Sequence, residues 1–225
     1  MVNVVCVFSG TKFSKDYVYN LKNAVERNTT VPHRFICLSD LNTELPGIDT
    51  MQLKPGYSGW WNKIQLFDGR LKGQVVYLDL DTLITGNIDW LLNHRGFFAG
   101  IEDLGAINSH QPWLKGRLQS GILSFNADQF GWVWTDFILS ISSVMKTHRG
   151  DGEYLNSLIT KRELLQNIYP DAIKSYKYQV YPDNIGNASI VCFHGRPSII
   201  QSMSETITTP KAVYEPQLWV KEYWK

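Results

Sequence analysis

A chain of 225 residues is long enough for one large domain with a substantial core, and no linker, charge block, internal repeat or low-complexity tract divides residues 1–225 into two. With 22 Lys+Arg against 21 Asp+Glu, its near-neutral balance excludes a global electrostatic pull toward nucleic acid or anionic membrane, leaving only the option of a local basic groove. No apolar run approaches the roughly 20 residues of a membrane span, so a cytoplasmic chain is expected.

The opening run Val2–Phe8 is too short for a signal segment with its flanks and reads as a first core strand. An amphipathic stretch follows, with Tyr17, Leu21, Ala24 and Val25 on one face, then a strand over 34–38, which makes a βαβ start. Next come a helix carrying Trp60, Ile64 and Phe67, an apolar strand that ends in Asp79 and Asp81, a short helix around 88–92, and strands over 96–101 and 121–125. A long helix shows Phe130, Val133, Trp134, Phe137, Ile141 and Val144 at three- and four-residue spacing, as core packing requires. Segments 104–117 and 181–187 read as loops, and 217–225, with Trp219 and Trp224, as a short docked helix. Cys6, Cys37 and Cys192 sit inside apolar runs and are odd in number, which fits reduced core residues. The alternation predicts an α/β domain with a mostly parallel central sheet and helices on both faces, binding ligands outside the carboxyl ends of the strands.

The Asp pair lies at such an end. Side chains alternate along a strand, so Asp79 and Asp81 project to one side, where two carboxylates repel. A divalent cation removes that cost, and Mg²⁺ or Mn²⁺ held by oxygen ligands usually also binds substrate phosphates. The plainer reading is a turn-capping Asp beside a solvated one. The loop Ser9-Gly10-Thr11-Lys12 offers backbone N–H groups and a helix start to a nucleotide, or is an ordinary tight turn. No Gly-x-Gly-x-x-Gly or Gly-Lys-Ser/Thr loop occurs, which argues against Rossmann dinucleotide and P-loop proteins. Lys63 reads as an anion-reaching or a solvated lysine, and its neighbours Trp60 and Trp61 as core. His194, Gly195 and Arg196 follow an apolar strand; the imidazole suits a metal and the guanidinium a phosphate, although a lone His there is also a common structural residue. Asp151 reads as a helix cap and Glu153 as a first-turn acid, or both as carboxylates that serve a sugar.

Taken in order, the segments Phe-Ser-Gly-Thr, Gly-Trp-Trp-Asn-Lys, Tyr-Leu-Asp-Leu-Asp-Thr, Gln-Ser-Gly-Ile-Leu-Ser-Phe-Asn, Gly-Asp-Gly-Glu-Tyr-Leu-Asn and Phe-His-Gly-Arg-Pro resemble a nucleotide-sugar glycosyltransferase of the GT-A fold. The likeness is to the retaining, family 8-like group of glycogenin and bacterial galactosyltransferases, and it spans most of the chain. It implies a single GT-A (Rossmann-like) domain that moves a hexosyl group from a UDP-sugar to a hydroxyl acceptor with Mn²⁺ or Mg²⁺. By the same resemblance Asp79, Asp81 and His194 would bind the metal, and Arg196, beside Gly195, would hold the diphosphate. Lys63 and the loop from Phe8 through Ser9, Gly10 and Thr11 would line the nucleotide pocket, with the Leu80 backbone near the ribose. Gln119 and Ser120 would face the donor sugar, and Asp151, with Glu153 two residues on, would stand beside it.

Two departures stand out. Relatives place Gln near the anomeric carbon where this chain has Gly152, and the Lys-Pro-Trp that commonly follows the His motif is absent, leaving Arg196-Pro197 in its place. Paired Asp also serves nucleotidyltransferases and metal-dependent phosphohydrolases, and eight tryptophans with a missing Gln would suit a non-catalytic sugar-nucleotide-binding protein. The acceptor, be it glycan, protein, small molecule or modified nucleic-acid base, leaves no signature, and neither do the donor sugar and the oligomeric state.

Overall fold

Strand β1 (Val2–Phe8) sends Val4, Cys6 and Phe8 to one face and Val5 to the other, so it has a core on both sides. A computed structural model describes residues 1–40, 44–107 and 111–225. Helix α1 (Lys15–Asn28) buries Tyr17, Val18, Leu21, Ala24 and Val25, the stripe that its apolar spacing predicts. It leads to β2 (His33–Ser39), parallel to β1, and then to β3 (Asp49–Gln52), parallel to β2. The expected βαβ start is present.

A helix was expected to carry Trp60, Ile64 and Phe67 inward; the segment Gly59–Phe67 is instead a 3₁₀ helix. At three residues per turn, positions 61, 64 and 67 line up, and Trp61, Ile64 and Phe67 form a buried apolar row beside the buried Asn62 and Gln65. Trp60 falls on the neighbouring row with Lys63 and is 57% exposed.

Strand β4 (Gln74–Leu78) pairs parallel with β1 and ends before the Asp pair, because Thr82 N–H folds back to the Asp79 carbonyl at 3.1 Å. Strand β5 (Thr82–Ile84) then starts a second sheet, followed by α2 (Asp89–Leu92), β6 (Phe98–Glu102) and β7 (Leu118–Asn126). Strand β7 runs antiparallel between β4 and β6. Segment 104–117 carries short 3₁₀ turns at Leu104–Ile107 and Pro112–Leu114, and its residues 108–110 lie outside those described.

Helix α3 (Gly131–Thr147) buries Val133, Phe137 and Val144, as expected, and kinks at Ser140. Helix α4 (Asp151–Leu158) is capped by Gly150, so Asp151 is its first helical residue and not the cap. There follow β8 (Glu163–Leu164), α5 (Leu165–Ile168), β9 (Ile173–Ser175), a π-helical turn Tyr176–Val180 and β10 (Ile190–Cys192). The chain closes with α6 (Ile199–Ser204), the hairpin β11 (Ile207–Thr208) and β12 (Val213–Tyr214), and α7 (Val220–Tyr223). As expected the tail docks: Trp224 meets Tyr17 edge-on at 4.8 Å, and Arg27 donates to the Lys225 carbonyl at 2.6 Å.

The central sheet has seven strands in the order β3-β2-β1-β4-β7-β6-β8, mainly parallel, and the second sheet runs β5-β10-β9. One core lies under α1, α6 and α7, the other under the 3₁₀ helix, α3 and α4. Cys6, Cys37 and Cys192 are buried and unbridged. Among the described residues, no helix is long and apolar enough to cross a membrane.

Phe125 of β7 stacks on Phe67 at 4.7 Å and on Phe98 at 5.6 Å, joining sheet to helical layer. Phe125→Ala is expected to cost about 3–5 kcal/mol, read as a lower urea midpoint at unchanged slope. A loss under about 1 kcal/mol would mean that the aromatic cluster does not couple the two layers.

Candidate active site

The Asp79–Asp81 turn is where the chain passes from the central sheet to the second one, and pairing on both sides brings distant segments to it. Asp79 N–H donates to the Gly121 carbonyl at 2.8 Å, which holds Gln119 and Ser120 of β7 beside the turn. On the other side β5 pairs antiparallel with β10, Thr82 opposite Cys192, and Phe193 N–H reaches the Asp81 carbonyl at 3.0 Å. His194 is thereby delivered next to Asp81 from 113 positions away in the chain, the consequence of sheet register alone.

Two cavities open here. One, of about 560 Å³, is lined by Ser9, Lys12, Phe13, Trp60, Lys63, Tyr77, Asp79, Leu80, Asp81, Gln119, His194 and Gly195, among others. The other, of about 590 Å³, is bordered by Ser120, Asp151, Gly152, Glu153, Arg117 and Trp113. Trp60, Lys63, Asp79 and Gln119 line both, so the cavities share one wall.

Lys63 is the electrostatic centre of that wall. Its ammonium lies 2.8 and 3.0 Å from the two Asp79 oxygens and 3.8 Å from Asp151 Oδ2. Burial opposes the charge of Lys63, but Asp151 and Asp79 outweigh it and raise its pKa. Tyr77 donates its hydroxyl to Asp79 Oδ1 at 2.5 Å, and burial followed by that carboxylate keeps the phenol protonated. Asp151 is buried, which raises its pKa against the pull of Lys63. Asp81 pairs with Lys12, 3.8 Å away and largely exposed, and feels Lys63 more weakly. Burial and then the Asp79 charge push the Asp81 carboxyl up to about 7. Three carboxylates thus share two ammonium groups, and burial favours the neutral form of two of them, Asp81 and Asp151.

The expected three-ligand cradle is only partly assembled. His194 lines the cavity, yet its Nε2 pairs with Ser175 Oγ at 2.8 Å, and burial, then Lys177, push the imidazole down to about 3, so it is neutral. Among the described residues, no three acidic, His or Cys groups stand close enough together to hold a metal. Lys63 pairs with Asp79, and Ser175 with His194, in place of a common ligand.

Other expected residues separate. Ser9 lines the first cavity, but Phe8 is a core residue and Thr11 is exposed outside the lining. The Gly10 N–H, expected to face a nucleotide, donates to Asp40 Oδ2 at 3.1 Å, and α1 begins only at Lys15. Leu80 and Gly195 line the cavity; Arg196 is exposed and does not. Glu153 belongs to the second cavity and is occupied structurally, accepting from the Arg149 N–H at 2.7 Å, which lowers its pKa. Gln119 Oε1 and Asp151 Oδ2 are buried without a hydrogen-bond partner, the latter 3.8 Å from the Lys63 ammonium. Sequence reasoning assigned no role to Lys12, Phe13, Tyr77 or Trp113. The period-2 alternation that pairs Tyr77 with Asp79 on one face was the available signal for Tyr77.

No protein-family model matches the sequence, and no curated protein does. The fold does have counterparts. The galactosyltransferase LgtC, solved in complex with donor and acceptor sugar analogues, matches with a TM-score of 0.65 over 88% of this chain and 88% of that one, at 16% identity. The glycosyltransferase GlyE of Streptococcus pneumoniae TIGR4 gives 0.63 at 15% identity over 88% of this chain and 56% of its own. The bifunctional glycosyltransferase WbbM gives 0.62 at 14% identity, over 88% and 46% respectively. At such identities it is the fold that is shared, a GT-A-like α/β domain, as the sequence motifs led us to expect.

The strain on Asp81 has a measurable sign. Folding raises its pKa from 3.8 to about 7, so the folded chain binds the extra proton within that window and loses stability as pH rises through it. In chelator, Asp81→Asn is expected to raise the thermal midpoint clearly more near pH 8 than near pH 5. The same shift at both pH values would show that this carboxylate is freely solvated.

Proposed function

We propose that the chain transfers a hexosyl group from a UDP-sugar to a hydroxyl acceptor with the aid of Mn²⁺ or Mg²⁺. The observation that carries this reading is the shared wall: two cavities, each large enough for one substrate, meet at Lys63, Asp79 and Gln119. A nucleotide diphosphate suits the first, with its acidic turn, Lys12, neutral imidazole and the aromatic rings of Phe13 and Trp60. A sugar-bearing acceptor suits the second, where the exposed indoles of Trp60 and Trp113 offer flat apolar platforms beside Asp103, Arg117 and Glu153. Counterparts of the same fold that are named glycosyltransferases support the reaction class.

The donor set fits a hard divalent cation in composition: two carboxylates, one of them raised in pKa by burial and its acidic neighbour, and an adjacent imidazole kept neutral by burial. Asp79 and Asp81 would hold the ion, with His194 released from Ser175 as the third ligand. When bound, it supplies electrostatic stabilisation to the departing diphosphate.

The chain's own residues do the rest. Lys63 fixes Asp79 and Asp151 in place, so the sugar would meet a preorganised polar wall of Asp79, Gln119 and Asp151. Gly152 presents no side chain, and a Cβ there would stand 3.2 Å from Ser120 Oγ. No group at that position can attack the anomeric carbon. For a retaining transfer this leaves the front face. The anomeric C–O bond to phosphate breaks, the acceptor oxygen bonds to the same face, and the acceptor proton goes to the departing phosphate.

A panel of UDP-, GDP- and CMP-sugars with Mn²⁺, read by thermal shift and slow donor hydrolysis, tests the donor without an acceptor. UDP is the expected leaving group; pyrophosphate or inorganic phosphate would instead identify a nucleotidyltransferase or a phosphohydrolase, and binding without turnover a silent binding protein. Asp81→Ala is expected to abolish metal-dependent UDP release, and near-wild-type activity would exclude the role given to this carboxylate. His194→Ala is expected to raise the Mn²⁺ concentration for half-maximal activity by about tenfold, as loss of one ligand should. An unchanged titration would remove the imidazole from the ion's coordination.

A further inference from the structure

We infer that Lys177, and not Arg196, is the lysine or arginine that grips the donor diphosphate, an inference that rests on reading the first cavity as a nucleotide-sugar site. A diphosphate needs positive charge beyond what the acidic cluster already consumes. Lys63 is committed to Asp79 and Asp151, and Lys12 faces Asp81. Neither Arg196 nor Lys177 lines the cavity itself, but Arg196 is exposed whereas the Lys177 ammonium stands against Gly195, which does line it.

Lys177 is brought to the rim by the fold. It sits in the π-helical turn Tyr176–Val180 that follows β9, and β9 runs parallel to β10 with Ser175 opposite Cys192. Ser175 ties the two segments further: its hydroxyl pairs with His194 Nε2 at 2.8 Å and accepts from the Tyr178 N–H at 3.3 Å. The residue that orients the imidazole therefore also anchors the turn bearing Lys177. Such single π turns are often found at functional sites.

The ammonium lies over bare backbone. A Cβ built on Gly195 would stand 3.5 Å from Lys177 Nζ, and Gly195 lines the first cavity. Gly195 has φ +80°, a conformation that glycine adopts freely, so the same missing side chain permits the turn and leaves the ammonium facing the rim. Among the described residues, Lys177 has no ion-pair partner, and its nearest ring neighbour is Tyr178 at 5.9 Å.

Electrostatics supports the geometry. Burial and then Lys211 lower the pKa of Lys177, while Asp81 acts in the opposite sense. A cation held half-buried without a partner gains most from an arriving anion, and a lysine binds phosphate as a compact point charge.

The test uses the full chain with Mn²⁺ and two probes, UDP by calorimetry and uridine by ligand-observed NMR. Lys177→Ala is expected to weaken UDP by about ten- to a hundredfold, the loss of one charge-assisted contact, and to leave uridine within about twofold. Lys177→Arg should restore most UDP affinity, and it serves as the working comparison if the Ala variant folds poorly by circular dichroism. Arg196→Ala should stay within about threefold of wild type. UDP binding unchanged in Lys177→Ala, or a loss found in Arg196→Ala instead, would overturn the inference while leaving the nucleotide site intact. Failure of the wild type to bind UDP at all would overturn the reading of the site, and the role of Lys177 with it.

Discussion

One buried ammonium holds the centre of this molecule together. Lys63 reaches from the 3₁₀ helix to Asp79, at the end of a central strand, and toward Asp151, at the start of α4, so a single charge joins sheet, connecting helix and covering helix. Buried ion pairs contribute little net stability, but removing one partner leaves carboxylates uncompensated in a dry environment. The arrangement is better understood as positioning. It keeps two acids and the unpartnered oxygen of Gln119 at fixed places on the wall between two cavities.

The second organising feature is the change of sheet at the Asp79–Asp81 turn. Because β4 belongs to the seven-stranded sheet and β5 to the three-stranded one, the turn is flanked by β7 on one side and β10 on the other. Residues around 120 and around 194 meet there without any helix or loop reaching across. A seam of this kind supplies polar backbone and side chains from both sheets while the apolar cores stay closed beneath it.

The legibility of the sequence followed its periodicity. β1, α1 and α3 repeat at two or 3.6 residues over long windows, so their buried faces could be read directly. The 3₁₀ helix could not. With three residues per turn it buries Trp61 and turns Trp60 outward, and in nine residues the two helical periods are hard to separate. Motif spacing points to Asp79, Asp81, Lys63, Gln119, Asp151 and His194, which the fold gathers along two adjoining cavities, and to Arg196, Phe8 and Thr11, which lie outside the lining. A side chain two residues along from a lining residue can point anywhere once the chain turns, and Gly195 at φ +80° makes such a turn.

What the residues by themselves determined is the α/β layering, the strand that ends in paired acids and the chemistry that those acids call for, since alternation and charge repulsion are local properties of the chain. Tertiary structure alone decided which groups compensate them. Lys63 taking Asp79, Ser175 taking His194 and Lys177 standing over Gly195 depend on sheet order and register, and the same register sets His194 beside an Asp turn more than a hundred residues away, which leaves no spacing to read.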